Sequence, residues 1–299
     1  MPHGFQSEFT GTDTGNEARV QHQLTQLNRT RLTPQNGSEN WLSSLDQEVE
    51  LRRLEHAFVE RELEHVRERA RQAPQDADAF VSWFEGLVED GPGQGDALFP
   101  WLAEHASLEQ MRWFLRQEMA GEAGFDDLVA LTQLKLPVRP KLELARNYWD
   151  EMGRGTQGGM HGPMLQQLER TLDLDVREET TVWESLALGN LMVALAANRH
   201  YAYQSIGALG AIELTAPGRS EQVNAGLKRL GLSGEARRYY ALHATLDVKH
   251  SIAWNREVLQ PLVAADPSLA TPIAEGALLR LSAGARCFQR YRSFLWNGR

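Results

Sequence analysis

The sequence predicts an all-α protein, and three observations support this prediction. Apolar residues recur at intervals of three and four along most of the chain, which is typical of one face of an α-helix. Alternating runs of about four to eight residues between turn residues, which would indicate β-strands, are absent. Gly and Pro gather in short segments, such as residues 91–95 and 153–159, between the periodic stretches. We therefore expect about ten helices separated by short loops.

Composition excludes several classes of function. The chain has 299 residues with 31 basic and 40 acidic side chains, a formal charge of −9, so we expect no nucleic-acid partner and no anionic membrane surface. The single cysteine, Cys287, excludes an internal disulfide framework and a zinc–thiolate site. The first residues lack the basic segment and the apolar segment that begin a secretory signal. No apolar run reaches the roughly 18 residues of a membrane-spanning helix. We expect a soluble cytoplasmic protein.

The chain divides into two parts by composition. Residues 1–39 are rich in Gln, Thr, Asn, Gly and Ser and poor in aliphatic side chains, so they bury too little surface to offset the entropy of ordering. We expect a flexible N-terminal arm over residues 1–39. From Trp41 onward the apolar periodicity is continuous, and we expect residues 40–299 to form one all-α domain.

The helical periodicity gives an ordered set of expected elements. Ser107 is expected to cap the helix that begins at Leu108, and Pro217 is expected to end a helix rich in small residues. The expected helices cover Trp41–Arg71, Ala79–Val88, Ala97–His105, Leu108–Ala120, Phe125–Leu134, Lys141–Met152, Pro163–Leu172, Glu178–Ala197, Tyr201–Leu214, Ser220–Leu230, a helix from Ser233 or Gly234 past His250, and Ser268–Phe294.

One short stretch carries metal-binding chemistry. His243, Asp247 and His250 stand at positions i, i+4 and i+7, which share one face of an α-helix. Two imidazoles and a carboxylate on one face form a set of nitrogen and oxygen ligands for a metal ion. Ordinary core or surface residues would explain this one stretch about as well.

A glycine-rich segment interrupts the chain earlier. Gly153–Gly159 holds four glycines in seven residues, but it lacks the Gly-Lys-Ser/Thr ending and the preceding strand of a phosphate-binding loop. A hinge is the better interpretation. Glu151 and His161 flank this break, so a hinge would allow both side chains to approach one point.

Glu213 is a carboxylate in an apolar setting, between Ile212 and Leu214. A buried carboxylate is costly unless it is paired or bound to a metal. The alternative to a metal is a salt bridge to an arginine such as Arg199 or Arg219.

Asn147–Gly155, followed by His161, resembles the iron-containing redox enzyme family, the haem-oxygenase-like di-iron oxidases and oxygenases. The resemblance covers about residues 100–290 and implies a haem-oxygenase-like helical bundle, here with additional N-terminal helices. It implies a ligand set of Glu151, His161, Glu213, His243, Asp247 and His250, in the order in which the family carries them. It also implies two Fe(II) ions, O2 as co-substrate and an external electron donor.

The six side chains are chemically consistent with that implication. Three imidazoles and three carboxylates suit two first-row divalent ions such as Fe(II) or Mn(II) and disfavour thiophilic metals. Each histidine needs an acceptor on its second ring nitrogen. Asp175, Asn190 and Tyr239 or Tyr240 are candidates for that role.

The N-oxygenating branch of the family implies an additional carboxylate from an upstream helix. Glu118 is our candidate for this catalytic position and Glu122 is the second, while an ordinary surface glutamate explains Glu118 about as well.

The resemblance implies an O2-dependent enzyme that oxidises a small organic substrate. We favour N-oxygenation or oxidative C–C cleavage of an amine or amino acid, because the acidic chain carries scattered arginines such as Arg146, Arg154 and Arg199. The alternatives are a fatty-acid oxidative decarboxylase of the same family and a non-catalytic helical metal-binding or scaffold protein. Nothing singles out the proximal histidine of a haem enzyme. A homodimer and a reductase partner stay open as expectations.

Overall fold

The computed structural model of the chain describes residues 14–34, 36–37, 41–121 and 124–297. Within these ranges the chain forms α-helices joined by short 3-10 and π-helical turns and no β-strand, which confirms the all-α prediction. None of the described helices is both long and apolar enough to cross a bilayer. The helices are α1 Thr14–Leu32, α2 Trp41–Glu64, α3 Arg67–Ala70, α4 Ala77–Asp90, α5 Leu98–Glu104, α6 Leu108–Gly121, α7 Phe125–Thr132, α8 Val138–Glu151, α9 His161–Leu172, α10 Trp183–Ala197, α11 Ala202–Arg229, α12 Arg238–Trp254, α13 Gln260–Ala265 and α14 Ala270–Asn297.

Helix α11 lies at the centre and packs against α5, α12 and α14. Two glycines allow α11 and α14 to approach backbone to backbone. A Cβ added to Gly207 would lie 1.8 Å from the carbonyl oxygen of Ile273, and one added to Gly276 would lie 1.7 Å from that of Gln204. The crossing therefore depends on the absence of side chains at both positions.

Helix α10 is buried on every face from Glu184 to Ala196. The apolar residues within the predicted helix Glu178–Ala197 suggested one core-facing side, but a helix that is apolar all round belongs in the interior of a large domain. Its neighbours α1, α6, α7 and α14 cover it from different sides.

The expected end of a helix at Pro217 is wrong. Helix α11 continues through Pro217 to Arg229. A proline inside a helix removes the N–H that would bond the carbonyl of Glu213, at a cost of about 3 kcal/mol. Packing of α11 along both α12 and α14 outweighs that local cost.

The expectation of a flexible arm is wrong for Thr14–Leu32, which forms helix α1. Leu24 and Leu27 are buried in the core, and α1 packs along α10. The side-chain amide of Asn28 donates to Oδ1 of Asn190 at 2.8 Å, and Asn190 donates to the carbonyl of Gln21 at 2.9 Å. The polar composition of the segment did not indicate a packed helix, because buried amide hydrogen bonds supply part of the contact between α1 and α10. Residues 1–13, 35 and 38–40 lie outside the described residues.

The predicted start of α6 is confirmed together with its cap. The amide of Gln110 donates to Oγ of Ser107 at 3.3 Å, and the amide of Ser107 donates to the side chain of Gln110 at 2.9 Å. This reciprocal capping satisfies two otherwise unpaired donors of the first turn. It sets the start of the helix that carries Glu118.

Candidate metal centre

Helix α12 contributes three of the predicted side chains. His243, Asp247 and His250 share the face of α12 that points into the protein, and Asp247 and His250 are buried while His243 is partly buried. The structure divides these three residues between two clusters rather than keeping them as one set.

The first cluster joins Glu151, His161 and His243. One ligand atom from each of them lies within 4.8 Å of the others. Oε2 of Glu151 is 2.6 Å from Nδ1 of His161, and the rings of His161 and His243 stand edge to face with centroids 4.7 Å apart. This cluster therefore draws on the end of α8, the start of α9 and the middle of α12.

The second cluster joins Glu213, Asp247 and His250, again with one ligand atom each within 4.8 Å of the others. Nδ1 of His250 lies 3.4 Å from Oε2 of Glu213 and 3.9 Å from Oδ1 of Asp247. The alternative of a salt bridge from Glu213 to Arg199 or Arg219 is not what the structure contains. Arg199 donates to the backbone carbonyls of α7, and Arg219 donates to Thr215.

The glycine-rich segment builds the first cluster. Two short 3-10 turns, Gly153–Gly155 and Gln157–Gly159, fold back so that Met152 and Met160 form an isolated β-bridge. Gly153 has a φ of 59°, and a Cβ there would lie 2.2 Å from the carbonyl carbon of Gly159. The segment is therefore a closed loop rather than an open hinge. This loop brings Glu151 against His161.

Hydrogen bonds orient two of the histidine rings. Nδ1 of His243 lies 2.7 Å from the backbone carbonyl of Tyr239, which leaves Nε2 facing the first cluster. Nε2 of His250 lies 3.2 Å from Oδ2 of Asp150, which leaves Nδ1 facing the second cluster. Such acceptors select the tautomer and the ring orientation of a metal-binding histidine.

Asp150 and Asn147 were missed by the sequence reasoning. Asp150 accepts from Nε of Arg154 at 2.6 Å as well as facing His250, and Asn147 donates to Oε1 of Glu213 at 2.5 Å. Asn147 lies four residues before Glu151 on α8, hence on the same helix face, and this spacing is the signal that could have found it. Asp150, directly next to Glu151, carries no such signal, because adjacent residues of a helix do not face one point.

The other candidates for this supporting role behave differently. Asp175 pairs with Arg177 on the surface, Asn190 bonds α1, and the backbone carbonyl of Tyr239 lies against Nδ1 of His243.

Burial shifts the titration of the clustered groups. Burial and the charge of Glu213 raise the pKa of Glu151 to about 8. Burial and the neighbouring imidazoles lower the pKa of His161 and of His243 to about 4. Burial also acts to lower the pKa of His250, but the nearby carboxylates of Glu213 and Asp150 prevail and raise it to about 9.

The residues fit a pair of metal ions. Nδ1 of His161 and Nδ1 of His250 are buried and have no aligned hydrogen-bond partner among the described residues, although each faces a carboxylate of its own cluster. Buried polar atoms are normally satisfied, so these two mark positions for a ligand. Imidazole and carboxylate donors without sulfur match Fe(II) or Mn(II).

A cavity of about 100 Å³ adjoins the two clusters. Its wall includes Glu151, Glu213, His243 and Asp247 and, further along, Glu118. Glu118 belongs to neither cluster, so its role as an additional ligand stays a prediction. Glu122 lies outside the described residues.

Comparison with known proteins agrees with this geometry. The family model described as "Iron-containing redox enzyme" matches residues 112–285, which include both clusters. Two crystal structures of a CADD-like protein of unknown function from Nostoc punctiforme PCC 73102 resemble the chain, with TM-scores of 0.55 and 0.56 at 18% sequence identity. The alignments cover 73% and 74% of this chain and 98% and 96% of the other. No curated protein sequence matches the chain significantly.

Proposed function

The chain belongs to the iron-containing redox enzyme family, and from this premise we propose that it is an O2-dependent, non-haem di-iron oxidase or oxygenase that acts on a small organic substrate. The observation that carries the proposal is the pair of clusters, Glu151–His161–His243 and Glu213–Asp247–His250, side by side along one helix. A single structural metal would need only one of them.

Each side chain has a defined task in this proposal. Glu151, His161 and His243 would hold one iron, and Glu213, Asp247 and His250 the other. When bound, the two irons supply the redox chemistry that activates O2. Asp150 holds a proton on Nε2 of His250 and keeps its Nδ1 free for the metal.

Support for a small substrate comes from the cavity beside the clusters. Its volume of about 100 Å³ is well below the roughly 300–1,000 Å³ of pockets that enclose drug-sized ligands. An amine or amino acid with few heavy atoms suits this space better than a long acyl chain. Ile212, Leu188 and Phe125 supply apolar wall that excludes water from the reacting atoms.

The reaction requires electrons from outside the chain if it is N-oxygenation. Converting an amine to a hydroxylamine places one oxygen atom of O2 on nitrogen and reduces the other to water with two electrons and two protons. We therefore include an external electron donor, such as a reductase partner, in the proposal. Oxidative C–C cleavage of an amino acid is the other reaction class that the same site would support.

The test is anaerobic loading of the full chain with Fe(II), followed by exposure to O2 with candidate amines and amino acids. We expect about two irons per chain and substrate-dependent O2 uptake. Glu213→Ala and His243→Ala should each lose at least one iron and abolish uptake. His105→Ala serves as the matched control, because the side chain of His105 is 64% exposed and lies outside both clusters.

Two results would separate this proposal from its alternatives. If the wild-type chain binds no iron, or if His243→Ala keeps all of its iron, the ligand assignment is wrong. If the chain binds iron but consumes no O2 with any reductant or substrate, a non-catalytic metal-binding protein is the better description.

A further inference from the structure

Two arginines line the same cavity as the metal clusters. Arg219 lies on α11 and Arg280 on α14, and both contribute to the cavity wall together with Glu118. Neither arginine has a part in the metal-binding roles proposed above. Arginine presents a planar fork of donors that matches the two oxygens of a carboxylate.

The guanidinium of Arg280 is incompletely satisfied. Nη1 of Arg280 is buried and has no hydrogen-bond partner among the described residues. Nη2 of Arg219 donates to Oγ1 of Thr215 at 2.9 Å, and its Cζ stands 5.5 Å from the ring centroid of Phe288. Within the described part of the chain, no carboxylate oxygen comes within 4.0 Å of either guanidinium. A buried donor normally has an acceptor, so Nη1 of Arg280 is available to an anion that enters the cavity.

Acidic groups also line the cavity around the pair. Glu118 is the acidic group on which both arginines act, while the other carboxylates of the cavity wall, Glu151, Glu213 and Asp247, belong to the metal clusters. Burial raises the pKa of Glu118, and burial with the charge of Arg280 lowers the pKa of Arg219 to about 9. Two partly buried arginines side by side in a cavity wall favour a bound anion.

The position of the pair relates it to the clusters. Arg219 follows Glu213 by six residues on α11, a rise of about 9 Å at about 1.5 Å per residue. Ala216 lies between them and also lines the cavity. A molecule anchored at the arginines would therefore lie in the cavity whose wall also includes Glu213 and Asp247 of the second cluster.

A second cavity of about 520 Å³ shares Phe99 and Arg219 with the first. It is lined by partly exposed side chains, including Val248 and Ile252. An anion that enters from this side would meet Arg219 before it reaches the metal clusters.

We propose that Arg219 and Arg280 form a subsite that binds the carboxylate of the substrate, so that the substrate is a short organic acid such as an amino acid. That the bound molecule is the substrate rests on the proposed function. The carboxylate-binding subsite itself does not, because it needs no metal.

The experiment is isothermal titration calorimetry of the full-length, metal-free chain, first with propionate and then with propionamide. The two probes have the same shape, and only propionate carries the charge. We expect saturable binding of propionate. Propionamide should bind at least roughly tenfold more weakly, because hydrogen bonds between charged partners are stronger than those to a neutral amide.

Variants then locate the site. Arg219→Met and Arg280→Met should each weaken propionate binding roughly tenfold or more, and Arg280→Lys, which keeps the charge, should weaken it less. Arg290→Met is the matched control, because Arg290 lies on the same helix α14 with a side chain that is 41% exposed. Circular dichroism of each variant establishes that it is folded.

Equal binding of propionate and propionamide would overturn the subsite, as would propionate binding that folded Arg219→Met and Arg280→Met leave unchanged. The two proposals fail separately. A chain that binds propionate through the arginines but takes up no iron keeps the subsite and loses the di-iron function. A chain that takes up two irons and consumes O2 but shows no preference for propionate keeps the function and loses the subsite.

Discussion

Oε2 of Glu151 lies 2.6 Å from Nδ1 of His161, although one residue ends helix α8 and the other begins α9. The helices alone do not bring them together, because the glycine-rich segment between them reverses the chain and closes it with the Met152–Met160 bridge. The first cluster therefore depends on the geometry of a loop that contributes no ligand.

Replacing Gly153 by Ala should damage the metal centre without touching a ligand. The left-handed backbone at Gly153 costs a residue with a Cβ about 1–2 kcal/mol, and the new Cβ would overlap the backbone of Gly159. We expect iron affinity to fall at least tenfold, measured by competition with a chelator. Gly158→Ala is the control, because a Cβ there meets nothing within 4 Å. Equal affinity of both variants would show that the loop does not set the position of Glu151.

Asp150 should support metal binding through its contact with His250. Although burial opposes it, hydrogen bonds with Arg154 and His250 lower the pKa of Asp150, so it stays ionised as an acceptor for Nε2 of His250. Asp150→Asn should reduce metal affinity roughly 10- to 100-fold, which is typical for the loss of such a supporting acceptor. Asp175→Asn should have no effect, because Asp175 also pairs with an arginine but lies exposed on the surface. Unchanged affinity of Asp150→Asn would mean that Asp150 serves only Arg154.

Metal affinity should rise with pH. In the metal-free protein Glu151, with a pKa of about 8, and His250, with a pKa of about 9, both hold a proton at neutral pH. A bound ion requires both to be deprotonated, so protons and metal compete. Mn(II) affinity should therefore increase from about pH 6 to about pH 9 and level off above it, with protons released on binding near pH 7. Calorimetry in buffers of different ionisation enthalpy counts these protons, and affinity independent of pH over this range would contradict the prediction.

The crossing of α11 and α14 should tolerate no side chain at Gly207. Gly207→Ala forces the backbones apart and should lower the free energy of unfolding by about 1–3 kcal/mol or more, measured by urea denaturation. Gly218→Ala on the same helix meets nothing within 4 Å and should raise it by about 0.5–1 kcal/mol. If both substitutions stabilise the protein, the close approach of the two helices is wrong.

Local patterns in the chain were sufficient for the helical class and for most of the helices. The capped start of α6 at Ser107 and the shared face of His243, Asp247 and His250 depend only on residues within a few turns of one another. The same patterns failed at α1 and at Pro217, where long-range packing decides the outcome. Composition made α1 resemble a loose arm, and local propensity made Pro217 resemble a helix end.

What the sequence determined by itself is therefore the all-helical class and the shared face of His243, Asp247 and His250, because helical periodicity sets which side chains lie together. The other three proposed donors were implied by the family resemblance and not by periodicity. The tertiary structure alone decided that His243 joins Glu151 and His161 while Asp247 and His250 join Glu213. It also brought Asp150 to His250 and placed Arg219 and Arg280 in one cavity wall. These pairings join residues that lie far apart in the chain, so they depend on how whole helices pack, which no local periodicity encodes.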